Sequence, residues 1–119
     1  MKDAALPILG LGPTGAGGSL ASIEQELLAE KASALALAGD NLAAALAVLA
    51  QVDAALADAS PEQRSDLAPR RRKLRDEAAE RLWYLLVQRE AIGLFQHEAM
   101  LREQRVPVEV RLLAGPRRR

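Results

Sequence analysis

The stretch LAEKASALALAGDNLAAALAVLAQVDAAL, residues 28–56, decides the fold. Leucine returns at 28, 35, 42, 49 and 56, one heptad apart. Two residues that differ by seven lie on the same side of an α-helix, so these five leucines form one stripe. The companion seam positions are Lys31, Ala38, Ala45 and Val52, which are mostly small. Small side chains let a second helix come close, so the stripe demands a neighbour but does not describe an ordinary leucine zipper. Gly39-Asp40-Asn41 interrupts the run, and a glycine in a helix costs about 1 kcal/mol relative to alanine. The heptad phase continues across it, which favours one long helix with a soft spot or bend over two short ones.

Composition agrees with this reading. Ala, Leu, Glu, Lys and Arg make up 71 of the 119 residues, a bias typical of long helices. The length fits one domain. There is no cysteine, which excludes disulfides, thiolate metal sites and a cysteine nucleophile, and favours a reducing compartment. The net charge is zero but unevenly placed. Residues 1–63 carry two basic and eight acidic side chains, and residues 64–119 carry fourteen basic and eight acidic. A hairpin explains that asymmetry by pairing the halves: Asp53 and Asp58 approach Arg70–Lys73, and Glu24, Glu26 and Glu30 approach Arg102 and Arg105.

Boundaries follow from capping chemistry. Residues 1–18 read as an extended or flexible arm. Ser19 or Ser22 caps the first helix, and Ser22 with Gln25 has capping-box spacing. That helix is expected over about 20–59. Ser60-Pro61-Glu62-Gln63 is a second start signal, here assigned to a short turn. The second long helix is expected from Pro69 to about 104. Pro107 opens a short helix over 107–114, and residues 116–119 form a basic tail. The expected fold is therefore all-α: an antiparallel hairpin plus a short terminal helix, in a single domain over 19–115.

The second helix is apolar on nearly every side between Leu82 and Phe95. One neighbour does not cover so much surface, so dimerisation into a bundle is expected, through Leu28, Leu35, Leu42, Leu49, Leu56, Trp83 and Tyr84; the alternative is a monomer in which the arm and the short last helix cover the excess. Trp83, Tyr84, Phe95 and His97 are the chain's only residues of their types, and they are read as the packed centre of that bundle. Polar residues interrupt the apolar runs at two places, Glu30-Lys31 and Gln88-Arg89-Glu90. A half-buried polar network that fixes helix register is expected there, because buried charges need partners.

Other motifs are weaker. GPTGAGGS, residues 12–19, approaches the phosphate-loop pattern, but Gly18 replaces the lysine and no strand precedes it. Gly10, Gly12 and Gly15 match a dinucleotide fingerprint in letters alone. Ala4–Ile23 is uncharged, yet five glycines and two prolines make it neither a good membrane span nor a good secretion signal. A cytoplasmic protein without a membrane partner is expected. His97-Glu98 lacks the second histidine of a zinc-binding HExxH motif. No catalytic, cofactor-binding or metal-ligating residue is assigned and no cofactor is expected. The alternatives are a nucleic-acid-associated regulator using the basic segment 70–75, and a cryptic enzyme or metal site at Glu30, Glu90 and His97.

One resemblance remains. Ala29-Glu30-Lys31-Ala32, the segment Leu86-Val87-Gln88-Arg89-Glu90-Ala91-Ile92-Gly93-Leu94, and Val106-Pro107 with Val110 resemble a family of small bacterial helical proteins known only as a domain of unknown function. The likeness covers most of residues 18–115. It implies a helical fold and a shared polar core, and it implies no activity. The reading is a self-associating interaction or scaffold protein whose further protein partner the sequence does not name.

Overall fold

Ser60 and Gln63 fix the point at which the chain reverses. The Gln63 backbone N–H donates to the Ser60 hydroxyl at 3.2 Å, and the Ser60 backbone N–H donates to the Gln63 side-chain oxygen at 2.8 Å. This reciprocal capping box, with proline at the first helical position, starts a long helix there. The computed structural model describes the backbone of residues 15–116. Its helices are α1 (Gly15–Ala57), α2 (Pro61–Ala91), α3 (Glu98–Glu103) and α4 (Val108–Leu113). Of the described residues 84% are helical and none is in a strand. The all-α hairpin with short terminal helices is therefore the fold.

Several boundaries differ from the sequence reading. Helix α1 already includes Gly15, so Ser19 and Ser22 lie inside it and neither caps its start. It runs unbroken through Gly39-Asp40-Asn41. Helix α2 begins at Pro61, eight residues before Pro69, because the capping box outweighs the later proline. Pro69 sits inside α2 and has no N–H to offer the Ser65 carbonyl. Both residues are exposed, so water can serve that carbonyl and the helix continues.

Helix α2 ends at Ala91, well short of 104, and Gly93 is the reason. Its φ of 89° lies in the left-handed region. The Gly93 N–H donates to the Glu90 carbonyl and the Leu94 N–H to the Arg89 carbonyl. These are the two bonds of a Schellman ending. The same ending recurs after α3, where Arg105 at φ 54° takes the glycine place and Val106 N–H reaches the Leu101 carbonyl. Extended Pro107 then leads into α4, close to the expected short helix.

Contacts divide the chain into two compact units, one ending at Ser33 and one beginning at Ala34. In the first, every residue from Ser19 to Ser33 is exposed. The second holds the core. Ala38, Leu42 and Leu49 of α1 meet Ala78, Ala79, Leu82 and Leu85 of α2, with Val106 and Val110 completing the cluster. Leu42 and Val110 are fully buried. Arg71 adds a polar clamp across three helices. It donates to Asp53 of α1 through Nε at 2.5 Å, and to both carboxylate oxygens of Glu109 of α4 at 2.8 Å. The expected pairing of Asp53 with the Arg70–Lys73 segment is thus made by Arg71. Residues 1–14 and 117–119, which include most of the arm, Gly12 and the arginine tail, lie outside the described residues.

Ser19–Ala57 is long and apolar enough to cross a membrane by length and composition alone. Ala38, Leu42, Leu49 and Val52 of this helix are buried against the chain, and 17% of its most apolar stretch is covered in all.

Two stability outcomes follow. A Cβ added to Gly39 would come no nearer than 3.9 Å to Gln104 Nε2, an ordinary contact. Gly39→Ala should therefore raise stability by about 0.5–1 kcal/mol in urea unfolding; a lower midpoint would contradict the steric account. Leu49→Ala should cost about 2–5 kcal/mol in the same measurement, since Leu49 is 1% exposed.

Candidate functional site

The outer face of α2 changes character along its length. Arg72, Lys73, Asp76, Glu77, Glu80 and Arg81 are exposed on the stretch before Leu82, whereas Trp83, Tyr84 and Val87 are exposed beyond it. Residues three and four apart share a helix face, so the last three form one apolar strip. The turn that follows adds Ile92, Leu94 and Phe95, all exposed, with Phe95 at 69%. Trp83 and Tyr84, expected at a packed centre, thus lie on the surface of the single chain at 37% and 53%.

The turn is held by the two polar residues that close α2. Arg89 Nε donates to His97 Nδ1 at 3.0 Å, and Arg89 Nη2 donates to the Gln96 carbonyl at 2.9 Å. His97 Nε2 lies 3.0 Å from Glu90 Oε2. As the last-turn cation of α2, Arg89 is also well placed against the helix dipole. Gln88 is half-buried on the same turn. The structure therefore gathers Arg89, Glu90 and His97 into one cluster. Glu30 and Lys31 belong to the first unit, where both are exposed.

The leucine stripe is divided in its surroundings. Leu42 and Leu49 are buried in the chain's own core, Leu35 and Leu56 are half-buried, and Leu28 is exposed. In the first unit Leu20, Ile23 and Leu27 are exposed at i, i+3 and i+7, with Leu28 beside them. A shallow open groove lined by Ala55, Ala59, Gln63, Asp66 and Leu67 lies beside the hairpin turn, with Asp66 as its one charged residue.

Two residues with central roles escape a reading of the sequence. Glu109 looks like any first-turn acid of a short helix, yet it grips Arg71 from a distance of 38 positions. His97 looks like half of a metal motif, yet it bonds back to α2. Neither pairing leaves a periodic signal, because each crosses irregular chain. Among the described residues no group of three or more His, Cys, Asp and Glu side chains is placed to hold a metal. Arg71 and Arg75 of the basic segment are occupied by Asp53 with Glu109, and by Asp76. Arg70, Arg72 and Lys73 are exposed.

Residues 5–116 match a family of unknown function, DUF6665. The chain belongs to that family. No curated protein and no solved structure shows a significant match to it. Membership in the DUF6665 family agrees with the resemblance to a helical family of unknown function, and it assigns no activity.

The Arg71 clamp carries a pH consequence. The guanidinium bonded to Glu109 holds that carboxyl below its ordinary value. Arg71 is itself raised, first by Glu109 and then by Asp53. A carboxyl lowered in the folded state adds stability above its unfolded value and loses it as pH falls through the folded value. The contribution is whole above the ordinary glutamate value of 4.5 and fades on acidification. Glu109 is 43% exposed, so water screens the pair and the amount is at most about 1 kcal/mol. Arg71→Met should flatten the acid side of a plot of melting temperature against pH; an unchanged slope would show that the clamp contributes nothing.

Proposed function

We propose that this chain is a small helical interaction module that self-associates in the cytoplasm of a bacterium and serves as a scaffold. The observation that carries the reading is the exposed apolar strip Trp83, Tyr84, Val87, Leu94 and Phe95 at the end of α2. Contiguous apolar surface of this kind is characteristic of association sites, and aromatic residues contribute most to them. Support also comes from the first unit, where Leu20, Ile23, Leu27 and Leu28 lie exposed on a helix. Every residue from Ser19 to Ser33 of α1 is exposed, and a covering partner stabilises that end of the helix.

A second copy is the partner that fits best. The acidic first half and basic second half of the sequence can complement each other between copies, as Asp53 and Arg71 do within one. Leu42 and Leu49 serve the chain's own core in this reading, so Trp83 and Tyr84 of the second unit, and separately Leu28 of the first, are the exposed members of the expected set. Nucleic-acid binding is the competing reading. It rests on Arg70, Arg72 and Lys73, and it loses Arg71 and Arg75 to carboxylates. An enzymatic role for Glu30, Glu90 and His97 would have to compete with the bonds that His97 and Glu90 already make to each other.

Sedimentation equilibrium tests the proposal. Dimers are expected at micromolar concentration. Tyr84→Asp and, separately, Leu27→Asp should each weaken association at least about tenfold, a loss of about 1.4 kcal/mol, with helical content unchanged. A chain that stays monomeric throughout the micromolar range would end the proposal. Salt-dependent binding of duplex DNA by the same monomer would favour the basic segment instead.

A further inference from the structure

We propose that His97 is a proton-sensitive latch on the apolar turn between α2 and α3. The turn, residues 92–97, is tied to the end of α2 at both of its ends. Near Gly93 the ties are the backbone bonds of the helix ending. At the far end they are side-chain bonds: Arg89 to the Gln96 carbonyl, Arg89 to His97 Nδ1, and His97 Nε2 to Glu90.

The donor at Nδ1 decides the state of the ring. A guanidinium N–H only donates, so His97 Nδ1 must present a lone pair. The imidazole is then neutral with its hydrogen on Nε2, and from there it donates to the Glu90 carboxylate. The ring is mostly covered, with a side-chain exposure of 16%. The charged side chains that contact it are Arg89 and Glu90, both from α2. The next residue, Glu98 on α3, is bonded to Arg111 of α4.

Imidazoles as a class take up a proton between about pH 5 and 8. A proton added at Nδ1 removes the acceptor that Arg89 uses and places imidazolium against guanidinium. The Glu90 contact survives and becomes an ion pair. Protonation therefore exchanges partners: His97 stays with Glu90, and Arg89 is expelled. Because the same Arg89 holds the Gln96 carbonyl, both of its ties to the far end of the turn go together. The backbone bonds of Gly93 and Leu94 remain, and Phe95 and Gln96 are released from the order the clasp imposes. Leu94 and Phe95 belong to the strip proposed for self-association. Acid should loosen the dimer as well, and this consequence alone rests on the self-association reading.

Nitrogen-15 NMR of the full chain reads the latch directly. At mildly alkaline pH the His97 ring should show an unprotonated Nδ1 and a protonated Nε2. On acidification the Arg89 Nε–H should lose exchange protection in step with His97 protonation, while the Leu94 amide, bonded to the Arg89 carbonyl, keeps its own. His97→Gln keeps an acceptor for Arg89 and a donor for Glu90, so its Arg89 Nε–H should stay protected at both pH values. A hydrogen on Nδ1 in the alkaline form would overturn the proposal. So would Arg89 protection that ignores the His97 titration, or an equal acid response in His97→Gln. Sedimentation over the same pH range should show about tenfold weaker association in acid for the wild type only. Absence of any dimer would count against self-association and leave the latch to be judged by NMR.

Discussion

Close approach of two helices is the constraint on which the remaining structure depends. Ala38 on α1 and Ala78 and Ala79 on α2 are all buried, and helix separation falls as the side chains between them shrink. With the backbones close, Leu42, Leu49, Leu82 and Leu85 interlock from the two sides. The hydrophobic contacts of this seam are the main source of stability, since each buried leucine contributes roughly 1.5–3 kcal/mol. Everything else is laid against it. Helix α4 enters with Val110 fully buried, and its Glu109 closes the Arg71 clamp only because Asp53 and Arg71 already face each other. The clamp is partly exposed and adds little energy, so its role is to fix where α4 rests.

Much of the fold was legible in the sequence, and the failures have definite causes. The seven-residue spacing of Leu28–Leu56 identified α1, and the small companion residues Ala38 and Ala45 correctly implied a close neighbour. Asp53 against the Arg70–Lys73 segment followed from the hairpin alone. What the sequence hid were outcomes of competition between local signals. Ser60, Pro61 and Gln63 form a strong cap, and Pro69 is a strong breaker. The cap wins because the proline faces water, which a list of letters does not reveal. Gly93 and Arg105 show the converse. One glycine inside an apolar run resembles a tolerated weakness until the backbone takes the left-handed turn and the helix stops. Arginine is not a residue that advertises the same turn.

The candidate site divides along similar lines. The polar interruption Gln88-Arg89-Glu90 stood out against apolar neighbours, and two of its members do form a cluster. Their partner was not legible, because His97 lies across an irregular turn whose path follows from Gly93 and not from any period. The aromatic residues of 83–95 were conspicuous for a different reason. Their abundance suggested burial, whereas the single chain covers only the faces of α2 that meet α1 and α4. An apolar strip beside a clasp of arginine, histidine and glutamate is an arrangement in which surface shape depends on a small number of hydrogen bonds.

The tightness of the chain reversal has one more consequence, for the order of assembly. Only Asp58, Ala59 and Ser60 separate α1 from α2. Closing so short a loop costs little chain entropy, so the first native contacts form between sequence neighbours at the hairpin tip and spread along the seam. The Arg71–Glu109 contact spans 38 positions and joins α4 to a surface that exists only once the hairpin has zipped. A nascent chain emerging amino end first meets these requirements in the same order.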